Sequence, residues 1–259
     1  MKYFILIFIG LITLVIITSC GLIRTSSADK ETERIADEYG GIYVFDKKLR
    51  DEIIQREKER EEYEKSRLET IEIEKEKLLR TFFTEKEIQD YRDMIERDKR
   101  RRGVVISYSY HPVYKKEQEI YKELKEKYPY SLIDKKFPQI LSNGCKYYLS
   151  GPSKQELKEN DWSLYYQKVK EYMGEEIFEK LKKGLATTSH YVDKNNKVIP
   201  ITFYTYIYDT ITTYGLYGDE GAGFRLTERY SVGIAGDNIF YLENGKFIKS
   251  DEKGKGARH

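Results

Sequence analysis

Residues 46–102 hold 18 basic and 18 acidic side chains, interspersed, with no proline and no glycine. Such a stretch has one regular option, because its residues are strong helix formers and nothing in it breaks a helix. Favourable pairs four residues apart recur at Glu52–Arg56, Glu61–Lys65 and Glu76–Arg80. A coiled coil would need an apolar seam. Counted from Leu49, one seam position falls on Leu49, Arg56, Tyr63, Thr70 and Lys77, the other on Ile53, Arg60, Arg67 and Glu74. That seam is mostly polar. The stretch therefore reads as a charged helical spacer, coiled coil-like in composition but solvated and laced with ion pairs.

Within it, Thr84 and Glu87 form a capping box that starts a second helix, with Phe83 and Ile88 as a staple across the start. Ile88, Tyr91 and Ile95 share one side of that helix. Arg97, Lys99, Arg100, Arg101 and Arg102 crowd its last turn before Gly103, complementing the helix dipole and offering a basic cluster to anionic lipid or glycan.

The rest of the chain changes period partway. Alternation over 104–110 suggests a strand, and 113–128 is amphipathic. A second capping box, Ser153 with Glu156, opens a helix toward Tyr172, and 175–183 continues as a short helix. Beyond Gly184 the pattern alternates. Strands are expected at 187–193, 197–208, 211–217, 224–235, 239–243 and 246–249, with hairpin turns at Lys194-Asn195-Asn196 and Asn244-Gly245. The fold class is α+β: a charged helical spacer, then helices packed on a C-terminal antiparallel sheet. The domain plan reads 1–19 signal peptide, 20–45 anchor and tether, 46–102 spacer, 103–250 globular domain with a meander at 185–250, and 251–259 frayed tail.

The amino terminus carries an address. A lone Lys2 precedes an apolar run to Ile17, too short to span a bilayer comfortably and suited to a secretory signal. Ile17-Thr18-Ser19-Cys20 resembles the lipobox of bacterial lipoproteins. The resemblance covers the signal and Cys20 alone. It implies cleavage before Cys20, a diacylglyceryl group on its thiol, an acyl chain such as palmitate on the new amino terminus, and a place in the bacterial cell envelope. Gly21 in the following position points to the outer membrane if the source is diderm. Cys145 is then the only remaining thiol, so no intramolecular disulfide forms and the domain relies on its core.

Composition narrows the function. Forty-six Lys and Arg against 44 Asp and Glu give a net charge of +2, which is no nucleic-acid footprint. His111, His190 and His259 are isolated and no ligand-spaced motif occurs, so neither a metal nor a cofactor is expected. GLYGDEGAG at 215–223 lies between strands and carries Asp219-Glu220, which suits a strand connection rather than a phosphate loop.

Two constellations remain. Cys145 followed by His190 and Asp193 has the nucleophile–base–carboxylate order of an activated thiol. The order is similar to that of exported cysteine peptidases that cut peptidoglycan, although Asn143-Gly144-Cys145-Lys146 departs from their nucleophile context. The other constellation is tyrosine, of which the chain has 24. Alternation over 197–208 puts Ile201, Phe203 and Ile207 on one face, assigned to the core under helices 113–128 and 154–172. It puts Tyr204, Tyr206 and Tyr208 on the other face, where accessible rings and hydroxyls suit a peptide or glycan. The leading expectation is a non-enzymatic envelope lipoprotein with a binding or structural role. It would meet the membrane through its lipid and an envelope protein, peptide or glycan through its domain. The alternative is a cell-wall hydrolase.

Overall fold

The computed structural model of the chain describes residues 24–25, 29–102, 109–219, 221 and 223–254. The elements run β1 (Arg24–Thr25), α1 (Lys30–Tyr39), β2 (Gly41–Val44), α2 (Lys47–Phe82), α3 (Glu85–Arg102), α4 (Pro112–Lys127) and α5 (Ser131–Lys136). They continue with β3 (Lys146–Tyr148), α6 (Lys154–Glu159), α7 (Ser163–Met173), α8 (Glu175–Leu181), a 3-10 turn (Lys182–Gly184) and β4 (Leu185–Val192). The last four strands are β5 (Val198–Asp219), β6 (Gly223–Ala235), β7 (Asn238–Glu243) and β8 (Lys246–Lys253). The class is α+β, with a long charged helix, further helices and a mostly antiparallel sheet toward the C-terminus. The predicted signal, Cys20 and the 104–108 part of the predicted strand lie outside the described residues. The chain forms two compact units, 1–50 with 145–259, and 51–144.

In the first unit the strands follow the order β3-β4-β5-β2-β7-β8, with β6 and β1 also pairing with β5. This corrects the expected meander. Strand β2, which precedes the charged helix, lies between β5 and β7 and runs parallel to β7, so the sheet is mixed. Residues 30–45 are therefore no tether. Ile35, Ala36, Tyr43 and Val44 are all buried, because α1 covers the sheet and β2 completes it. The 211–217 strand merges with 197–208 into the 22-residue β5. Up to Thr205 this strand pairs with β4 and β2; from Tyr206 onward it forms a ribbon with β6. Strand β8 extends to Lys253, so the tail is ordered further than expected.

The core of this unit packs Phe203 and Ile207 with Tyr43, Trp162, Val169, Met173, Leu181, Phe240 and Phe247. Ile201 is also fully buried. The cover on Phe203 comes from Trp162 and Tyr166 at the start of α7, not from 113–128, which belongs to the other unit. The expected single helix from 154 breaks at Asn160. Its side-chain oxygen accepts from Val198 N at 3.0 Å while its amide donates to Glu156 O, so it ties α6 to the sheet instead of prolonging the helix. Both predicted hairpins form, with Asn196 at φ 59° and Asn244-Gly245 at φ 49° and 81°.

Where β6 hands over to β2 the backbones nearly touch. Strand β6 ends at Ala235 opposite Tyr206, and β2 begins at Gly41 opposite Thr205. A Cβ on Gly40 would lie 2.7 Å from Gly236 N, and one on Gly41 would lie 2.1 Å from Asn238 O. Two buried polar side chains latch this crossing. Asn238 Nδ2 donates to Asp37 O and Gly40 O, and Thr205 Oγ1 accepts from Gly41 N and donates to Tyr39 O.

In the second unit the charged helix keeps most of its residues at the surface and buries one side. Ile71 and Leu79 of α2 pack with Ile88 and Tyr91 of α3 and with Val113, Ile120 and Leu124 of α4. Part of the polar seam also turns inward. Arg60 is buried, donating to the Phe137 carbonyl that ends α5 and to Asp134. Arg67 donates to the Tyr128 carbonyl that ends α4 at 2.6 Å, and also to Glu64. Glu52 accepts from Ser142 N and Oγ and from Arg56. Arg60 and Arg67 are drawn in because each meets a helix C-terminus, whose carbonyls lack intrahelical donors.

Candidate functional site

The Cys145–His190–Asp193 constellation does not assemble. Strand β3 pairs with β4 so that Tyr148 faces His190 and Lys146 faces Val192. Cys145 therefore lies beyond the ladder, level with Asp193. That is three residues along from His190, or about 10 Å of strand. Asp193 Oδ1 accepts from Asn195 N and Lys197 N, both at 2.8 Å, so this carboxylate is occupied in shaping the β4–β5 turn. His190 is buried, stacked on Tyr148 with centroids 5.0 Å apart, and its Nδ1 lies 2.8 Å from Ser150 O. A carbonyl only accepts, so Nδ1 carries the proton. His190 and Asp193 each have a structural task, and the order in the sequence did not bring Cys145 beside His190.

Burial lowers the His190 pKa below the usual imidazole value, outweighing the Ser150 hydrogen bond and the Glu156 carboxylate. The ring is neutral in the folded protein, while the unfolded chain takes up a proton near pH ~6.5. The unfolded state then binds more protons, so stability holds above that pH and falls as the pH drops toward the folded pKa. Denaturant midpoints measured from pH 7.5 to pH 5 are expected to fall more for the native chain than for His190→Asn. Equal slopes would show that this imidazole does not carry the acid sensitivity.

Of the tyrosine face, two members remain. Tyr204 is buried, because it lies opposite Ile42 and Ala186 on the back of the sheet, where Ile42 joins a second cluster of Val44, Ile239 and Tyr241. Alternation identified the face but not this second cover, which comes from strands far away in the sequence. Tyr206 is half-buried. Its ring lies over Gly233 of β6, where an added Cβ would come within 3.0 Å of it. Tyr208 is 48% exposed. The Tyr206 and Tyr208 hydroxyls are 2.7 Å apart and their rings meet edge to face at 4.9 Å. That hydrogen bond is the main cause raising the Tyr206 pKa. The pair fixes two rings and leaves the outer hydroxyl free to bond outward. This arrangement can stack on a sugar or a peptide and hydrogen-bond it at the same time.

Many other tyrosines simply fill the core. Tyr43 and Tyr147 are fully buried, and Tyr39 and Tyr172 meet edge to face beside the sheet. The basic cluster is partly spent locally, with Arg97 donating to Asp93 O and Arg100 pairing with Glu96. His111 accepts from Val113 N at the start of α4 and stacks on Tyr91. Among the described residues, no group of three His, Cys, Asp or Glu gathers to hold a metal ion, and no helix is long and apolar enough to cross a membrane. Compared with known proteins, the chain matches no family model, no curated protein and no solved structure.

Proposed function

We propose that this is a lipoprotein of the bacterial cell envelope, anchored through Cys20 and acting by binding rather than by catalysis. In a diderm source, Gly21 favours the outer membrane. The anchor rests on Ile17-Thr18-Ser19-Cys20 at the end of the terminal apolar run. The observation that carries the binding role is the Tyr206–Tyr208 pair, whose hydroxyls are linked at 2.7 Å on a half-open face. An envelope peptide or glycan is the ligand this chemistry suits, since both offer flat apolar patches bordered by hydrogen-bonding groups. A hydrolase receives no support from the positions of Cys145, His190 and Asp193.

Two variants test the two halves of this reading. Cys20→Ala is expected to lose metabolic fatty-acid labelling; retained label would remove the lipobox assignment. The double change Tyr206→Ser with Tyr208→Ser is expected to abolish recovery of peptide or glycan after crosslinking in intact cells, while the chain stays folded. Undiminished capture would reduce the tyrosine pair to a packing feature.

A further inference from the structure

The two residues of β1 constrain how the first unit meets its anchor. Arg24 pairs with Tyr214 and Thr25 with Thr213, antiparallel, on the outer half of β5. Moving back along the chain from Thr25 to Arg24 therefore means moving up β5, toward the β5–β6 turn. Cys20 is four residues before Arg24, and four extended residues span at most about 14 Å. A membrane attachment that ends at Cys20 is thus held within that distance of the outer ribbon. The charged helix cannot act as a spacer between them, because it comes after β1, α1 and β2 in the chain.

The outer ribbon has the side chains for such a position. Tyr214 is 47% exposed, Tyr230 43% and Leu226 74%. Cross-strand pairing sets Tyr214 opposite Thr227 and Tyr230 opposite Ile211, on opposite faces of the ribbon. Apolar groups are thus exposed on both faces, which a sheet packed on one side would not leave. Tyrosine combines an apolar ring with a hydroxyl and suits the headgroup level of a bilayer. The charges here do not form a basic patch. Arg225 pairs with Glu228 at 2.5 Å. Contact through this surface would depend on rings and Leu226, not on anionic lipid.

We propose that the outer half of the β5–β6 ribbon rests on the membrane that anchors the chain, with Leu226 and Tyr230, which share one face, at the headgroup level. This rests on reading residues 1–20 as a membrane attachment, whether lipidated or retained as an apolar segment. It leaves Tyr208, six residues before Tyr214 along β5 and about 20 Å away, clear of the bilayer and open to a ligand.

The test uses the full-length chain in phosphatidylcholine vesicles carrying brominated acyl chains, which quench tryptophan only at short range. Trp162 is the sole native tryptophan and is buried, so it provides a constant background. Leu226→Trp is expected to lose most of its added fluorescence in these vesicles. Ile248→Trp, exposed on β8 at the far end of the sheet order, is expected to keep its own. An unquenched Leu226→Trp in protein that floats with the vesicles would overturn the proposal, as would equal quenching of both variants. Protein that does not float with the vesicles would overturn the ribbon contact and the membrane attachment together. Fatty-acid labelling of Cys20, read in parallel, separates the two claims. Quenching without label keeps the ribbon contact and removes lipidation, and label without quenching does the reverse.

Discussion

Phe203→Ala is expected to cost about 3–5 kcal/mol, the range for removing a fully buried ring that its surroundings cannot refill. Phe203 is fully buried. Its ring stands 4.9 Å from Phe45, 5.3 Å from Tyr166 and 5.8 Å from Trp162, centroid to centroid. Phe45 follows β2, while Trp162 and Tyr166 stand at the start of α7, so the ring is held from two separate elements and collapse into the void is limited. A domain of this size has about 5–15 kcal/mol in total, so the variant would lose a large share of it. Equilibrium denaturation followed by Trp162 fluorescence reads the loss directly, because that indole packs against the deleted ring. A loss below about 1 kcal/mol would mean that the site repacks, and that Phe203 is not the centre of the core.

That ring was legible from the sequence because strand alternation is a local property. So were the capping boxes at Thr84 and Ser153 and the turns at Asn195 and Asn244, whose chemistry lies within a few residues. The charged helix shows where local reading ends. Its seam of Arg56, Arg60 and Arg67 was discarded because coiled coils bury apolar groups. In the fold, Arg60 and Arg67 are drawn in by the carbonyls that end α5 and α4. Those carbonyls lie 77 and 61 residues away in the chain, and no periodicity in the helix reports them. The insertion of β2 between β5 and β7 was hidden for the same reason. A four-residue strand ahead of a long helix carries no mark of a partner some 200 residues later. Of the candidate site, Tyr206 and Tyr208 were visible through alternation. The loss of Tyr204 to the back of the sheet, and the separation of Cys145 from His190, depend on pairings made only in three dimensions.

Gly41→Ala is expected to be the more damaging change, at about 4 kcal/mol or more, although it adds a single methyl group. Gly41 has φ 141°, a conformation open to glycine and strained for any L side chain. Space is refused as well as conformation, since the new Cβ would fall 2.1 Å from Asn238 O and 2.8 Å from Asn238 N. Both atoms are backbone, so no rotamer change relieves the overlap. The two strands would have to separate at the point where the parallel β2–β7 pair begins. Separation would also loosen the Gly41 N–H bond to Thr205 and the Asn238 bonds to Asp37 and Gly40, leaving buried polar groups without partners. Gly151→Ala is the control. Its Cβ would meet one backbone oxygen at 3.4 Å, an ordinary contact, so it should change stability little. Thermal melts of the two variants are expected to differ widely, with Gly41→Ala recovered mostly as unfolded or aggregated chain. If the two melted alike, the β2–β7 crossing would not be as close as drawn, and β2 would be free to leave the sheet as the tether first expected at 20–45.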